Sequence, residues 1–410
     1  MTRTIRATVW GIGLLMAICS AASTARAATF GEDLAFLKKH TRLVVLSDAA
    51  GQAQVAVAPD YQGRVMTSTA GGTAGASYGW INRELIASGK RLPHINPLGG
   101  EDRFWLGPEG GQYSIFFKKG AEFTLDDWQT PEPIDWGPWD IVRQSKTEIV
   151  FRREMQLVNY SGTPFSLTAD RVVRLLPRDK AAVLLGVSIG GDVSFVAYES
   201  ENRITATGDT PWTKDGGLLS IWILGMYQPS PRTTVVVPFR PGPESELGPK
   251  VNDAYFGKVP ADRLKISERH LFFSGDGLCR SKIGVGPQRA QPILGSYAAD
   301  SELLTLVQLT VPPGAKDYVN SMWELQEHPY AGDVVNSYND GPPSPGAKPM
   351  GPFYELESSS PGAALSPGQS LTHIHRTFHF QGPAGALSKL AEATLGVSVA
   401  TIQSSLGDAK

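Results

Sequence analysis

The stretch Ile149-Val150-Phe151-Arg152-Arg153-Glu154-Met155-Gln156-Leu157-Val158-Asn159-Tyr160-Ser161-Gly162-Thr163-Pro164-Phe165-Ser166-Leu167-Thr168-Ala169-Asp170 decides how this chain folds. Ile149, Phe151, Met155 and Leu157 alternate with Arg152, Glu154 and Gln156, the period of two expected of a strand with one buried face. Asn159-Tyr160-Ser161-Gly162 reads as a turn. Beyond it Phe165, Leu167 and Ala169 alternate with Ser166, Thr168 and Asp170, so the two runs predict consecutive antiparallel strands. Further strands are expected at Gln54–Ala58, Arg64–Thr69, 182–189, 218–226, 233–239, 303–310 and 371–380.

Helical signals are few. Phe30, Leu34 and Leu37 predict a short helix, residues 81–88 a second, and the stripe Leu387, Leu390, Ala391 and Leu395 a third, with Gly396 placed to stop it. Glycine (44) and proline (30), about 18% of the chain, follow no short period and suit a protein of many strands and turns. No internal repeat or linker stands out. The fold class expected is mainly β, a large antiparallel sandwich with few short helices, spanning residues 28–383 and followed by a helical appendage at 384–410.

Residues 1–27 read as a secretory signal. Arg3 and Arg6 precede the uncharged apolar run from Val9 to Ala22, and Ala25-Arg26-Ala27 offers small residues for cleavage before Ala28. The expectation is a periplasmic or secreted protein with no integral membrane segment after cleavage. Lipidation at Cys19 is disfavoured by Ile18 before it. Of the 383 residues left from 410, only Cys279 is a cysteine, so stability must come from a packed core rather than a disulfide. The formal charge of −2, with both signs interspersed, gives no footprint for nucleic acid.

Three segments are chemically dense. In the first, His94 to Gln112, glycine pairs flank Glu101-Asp102-Arg103-Phe104-Trp105, and Glu109 follows. Carboxylates, an arginine and an indole are the parts of a sugar site, giving bidentate hydrogen bonds to hydroxyls and a flat face for a ring. The plainer reading is an internal Arg–Glu pair holding a loop. The second runs from Trp323 through Glu327 and His328 to Asn336, Asn339 and Asp340. His328 is a candidate acid or metal ligand or simply a solvated side chain, and the Asn and Asp residues are candidate sugar ligands or turn formers. In the third, His373, His375 and His379 share one strand face. His373 and His375 have the spacing to chelate a divalent metal, though no cofactor is required, and histidines paired with carboxylates are the alternative.

The segment Leu356-Glu357-Ser358-Ser359-Ser360-Pro361, then Leu365-Ser366-Pro367-Gly368-Gln369-Ser370-Leu371-Thr372-His373, resembles the C-terminal signature of galactose-mutarotase-like proteins. Val55 to Val65 is similar to that superfamily's opening hairpin. The run from Gly99 to Glu109 resembles its uncharacterised members. The resemblance implies a β-supersandwich and carbohydrate chemistry, in which a glutamate takes the anomeric proton while a histidine protonates the ring oxygen. By motif position Glu357 matches the glutamate. No segment matches the family's histidine motif, and His328 and His94 are candidates by composition.

Three functions follow as expectations. One is an enzyme on a sugar or oligosaccharide, of isomerase, lyase or hydrolase type. Its candidates are Glu357, His328 and His94 for catalysis, with Arg103, Glu101, Asp102, Trp105, Glu109, Asn336 and Asp340 for the substrate. The second is a non-catalytic glycan-binding envelope protein using the indoles of Trp105, Trp128, Trp136 and Trp139. The third is a structural protein with a metal on His373 and His375.

Overall fold

The computed structural model describes residues 28–407; the expected signal segment lies outside them. The strands Glu148–Val158 and Pro164–Leu175 form the expected antiparallel pair, with Leu157 opposite Phe165 and Phe151 opposite Arg171. They sit toward one edge of a ten-stranded antiparallel sheet, which packs against a five-stranded one, while a three-stranded sheet from residues 44–69 closes one side. The chain is a mainly β antiparallel sandwich with short helices.

The five-stranded sheet runs in the order Ser281–Val285, Val335–Asn339, Tyr354–Ser359, Ser220–Tyr227, Arg103–Gly107. Its inner face supplies Phe104, Leu106, Ile221, Ile223, Ile283, Val285 and Leu356 to the core between the sheets. These residues alternate along their strands with side chains on the opposite face, which is the face that forms the site below.

The ten-stranded sheet is apolar on its outer face as well. Phe378, Phe380, Leu304, Leu306 and Val236 meet Leu387, Leu390, Ala391 and Leu395 of the helix Ala384–Leu395 in one cluster. The C-terminal helices therefore cover the sandwich rather than hang from it. Gly396 ends the helix in the left-handed region at φ 74°, as its position in the sequence predicts.

One expected strand is a helix. Residues 178–185 are helical, entered from Pro177 and closed by the left-handed Gly186, and only a turn follows to 189. A short apolar run does not distinguish strand from helix by period, and here the flanking proline and glycine decide it.

The space between the sheets also holds polar groups. Arg171 donates to Asp102 Oδ1 at 2.7 Å, to Asn202 Oδ1 at 2.6 Å and to the Gly63 carbonyl at 3.1 Å. Glu101 accepts from the Ser68 amide at 2.6 Å and from the Tyr198 hydroxyl at 3.0 Å, and His379 Nε2 lies 3.0 Å from it. Every member of these two clusters is fully buried or nearly so. Buried charge of this kind is tolerated only when paired and hydrogen-bonded.

Candidate functional site

Directly opposed residues on antiparallel strands point to the same side, so the sheet's outer face is read off its register. One row is Lys282, Tyr338, Glu355 and Met226; the next is Asn336, Glu357, Leu224 and Arg103; a third is Ser359, Trp222 and Trp105. An antiparallel sheet often leaves such a polar face in water. Here loops cover it and enclose a cavity of about 380 Å³, within the usual range for small-molecule sites. Its wall includes Arg103, Glu109, Lys282 and Glu355 together with the indoles of Trp105, Trp128, Trp222 and Trp323.

The charges on this floor are paired. Arg103 forms an ion pair with Glu355 and lies 5.0 Å over the Trp105 ring. Lys282 Nζ donates to Glu357 Oε2 at 2.9 Å, Trp222 Nε1 donates to the same oxygen at 2.9 Å, and the ammonium sits 4.6 Å over the Trp222 ring. Burial works against charge on Lys282, but the carboxylates of Glu357 and Glu109 outweigh it and leave the ammonium's pKa raised. Glu355 is pushed up by burial, against the pull of Arg103 and with the repulsion of Glu357.

Glu109 is the most chemically available of these groups. Burial pushes its carboxyl up to about 7, partly offset by Lys282 and by a hydrogen bond with Trp323 and reinforced by Glu357. A carboxyl that exchanges its proton near neutrality is suited to general acid–base work. His94 also lines the cavity. Its Nδ1 lies 2.6 Å from the Trp128 carbonyl; a carbonyl only accepts, so Nδ1 carries the proton and Nε2 is left for other partners. The indole N–H groups of Trp105 and Trp128 find no acceptor among the described residues.

The structure sorts the candidates named from the sequence. It brings Arg103, Trp105, Glu109 and His94 to one cavity. Glu357 stands on the same sheet face but is fully buried behind the Lys282 and Trp222 that line the wall, and its Oε1 has no partner. Asn336 lies in the same deep layer, donating to the Tyr255 hydroxyl at 3.1 Å, and that hydroxyl donates to Asp333 at 2.5 Å. Asp340 accepts from the Tyr338 hydroxyl and the Gly351 amide, both at 2.8 Å, and so ties down the loop that carries Lys348 and Met350 to the cavity.

Three expectations need correction. Glu101 and Asp102 belong to the clusters between the sheets and do not line the cavity: Glu101 accepts from Ser68 and Tyr198, and Asp102 pairs with Arg171. His328 is exposed beside Glu327 and lines nothing. The glycines flanking Glu101 to Trp105 allow close backbone approach within the protein: a Cβ on Gly99, at φ 94°, would stand 2.1 Å from the Trp80 carbonyl oxygen. His373 and His375 share one face as expected, yet both are engaged by Ser358 Oγ at 2.8 Å, and no group of three metal-binding side chains occurs among the described residues. Burial holds their pKa values down at about 3 and about 4.

Lys282, Trp222 and Glu355 were not singled out by sequence. Lys282 had one signal, an amine two residues from Arg280 in a run that continues Ile283-Gly284-Val285. Trp222 had none, because Ser220–Tyr227 is apolar on both faces and no alternation marks which face meets the cavity.

A family model matches residues 28–406, nearly all of the described chain. The chain belongs to the DUF6786 family. That family is one of unknown function. No curated protein matches this DUF6786 member in sequence. Solved structures similar to it include the Slr1438 protein from Synechocystis sp. PCC 6803, at 12% identity over 84% of this chain and 96% of that one, with a TM-score of 0.48. A putative aldose 1-epimerase from Escherichia coli K12 is similar at 12% identity over 82% of this chain and 98% of that one, with a TM-score of 0.47. A galactose mutarotase-like protein from Lactobacillus casei is similar at 10% identity over 83% and 100%, also with a TM-score of 0.47.

Proposed function

We propose that this DUF6786 protein is an exported carbohydrate-active protein that binds a sugar in the cavity on the outer face of its five-stranded sheet. One observation carries the reading: the indoles of Trp105, Trp128, Trp222 and Trp323 wall a cavity floored by the Arg103–Glu355 pair and by Lys282. Indole faces stack on the apolar face of a sugar ring, and fixed charged donors and acceptors pair with its hydroxyls.

For an epimerase-like proton transfer, Glu109 and His94 are the groups to carry protons, since each lines the cavity and carboxyl and imidazole are the common proton-transfer groups. Glu357 acts behind them as a positioning carboxylate that holds the Lys282 ammonium and the Trp222 indole against the ligand.

The test is a thermal-shift screen of the mature protein against mono- and oligosaccharides, followed by NMR of anomer exchange with each ligand found. A ligand at 100 times its dissociation constant stabilises the fold by about 2.7 kcal/mol, which is readily seen. Acceleration of exchange that Glu109→Gln abolishes supports the enzyme. Silence across the panel removes the carbohydrate reading. A second reading, glycan binding without turnover, is favoured by the closure of Glu357 from the cavity, and a sugar that binds without any change in its anomers supports it.

A further inference from the structure

Nine large apolar side chains are exposed among the described residues, and they are not scattered evenly. Leu92, Leu125 and Met350 all line the mouth of the cavity, with exposures of 37%, 50% and 38%. Three of these nine exposed apolar side chains therefore share one opening. Single exposed leucines need no explanation, but a cluster around a cavity marks a surface that is covered when the site is occupied.

The cavity's lining combines Arg103, Glu355 and Lys282 with four indoles, and its more exposed residues include Leu92, Leu125 and Met350 beside Lys348. The indoles match the apolar face of a hexose ring, and a free hexose carries no further apolar group for Leu92, Leu125 and Met350 to cover. We infer that the ligand is a sugar carrying an apolar substituent, an alkyl, acyl or aryl group, with the ring on the charged floor and the substituent between Leu92, Leu125 and Met350. This deepens the carbohydrate reading and rests on it.

The test compares the methyl and hexyl glycosides of glucose, galactose and mannose, kept monomeric, by calorimetry on the full mature chain. Each buried methylene strengthens binding roughly three- to fourfold, so even a partly covered hexyl chain should bind about tenfold or more tighter than methyl. The variant Leu125→Asn/Met350→Gln alters only exposed side chains. It should bring the hexyl glycoside to within about twofold of the methyl one. Equal affinity of the two in the unaltered protein overturns the inference and leaves the carbohydrate reading standing. So does a hexyl advantage that survives in the variant. Failure of all the glycosides, in a protein that also ignores free sugars, removes both.

Discussion

Replacing Lys282 by methionine takes the counter-charge from a glutamate that has no access to water. Glu357 is fully buried, accepts from only Lys282 and Trp222, and already has one oxygen without a partner. Breaking a buried ion pair from one side costs about 3–5 kcal/mol, because the remaining charge is desolvated and unpaired. At about 2.1 cal/mol/K per residue, a chain of roughly 380 ordered residues has an unfolding entropy near ~0.8 kcal/mol/K, so Tm should fall by about 4–6 °C. Glu357→Gln should cost a similar amount by stranding the ammonium. The double variant Lys282→Met/Glu357→Gln should recover most of the loss, since neither charge remains to be solvated. Urea unfolding of all four proteins gives the cycle directly. If Lys282→Met costs less than about 1 kcal/mol, or the double variant is as unstable as the sum of the singles, the two groups are not a coupled buried pair. The positioning role assigned to Glu357 then fails.

Glu109 binds its proton up to about pH 7 in the folded chain but only to its ordinary value of 4.5 when unfolded. The folded state therefore loses stability as pH rises from 4.5 to 7, by up to about 3 kcal/mol, and Glu109→Gln should remove that slope in urea midpoints taken at pH 5 and pH 8. If Glu109 is the acid of a reaction, turnover should fall above pH 7, and a profile with no such limb excludes it. His373 and His375 have the opposite sign: both are neutral in the fold down to about 3 and about 4, so their stability is full above 6.5 and lost as pH falls. By pH 4 each should have lost about 3 kcal/mol, and His375→Gln should flatten the acid limb of a stability curve; an unchanged limb would show that the histidines are not buried neutral. Asp102→Asn should weaken the pair with Arg171 and lower Tm while leaving sugar affinity within about twofold, because Asp102 lies between the sheets. A large loss of affinity at full stability would place it in the binding site after all.

Much of the architecture was legible in the order of residues, and the reason is local. The alternation from Ile149 to Ala169, the turn at 159–162 and the stripe ending at Gly396 each state one element's geometry within a few residues of chain. The exception, the helix at 178–185, is a run too short for its period to be read. Arg103, Trp105, Glu109 and His94 were visible as candidates because charge and indole crowd together in one loop and strand. Only the tertiary structure decided which neighbours in sequence part company. Asp102 and Arg103 are adjacent, yet one joins Arg171 between the sheets and the other Glu355 on the cavity floor, since successive residues of a strand face opposite ways. It also decided that Lys282, Trp222 and Glu357, from three distant segments, form one unit. That unit depends on strand register, a relation between segments that no single stretch of chain contains.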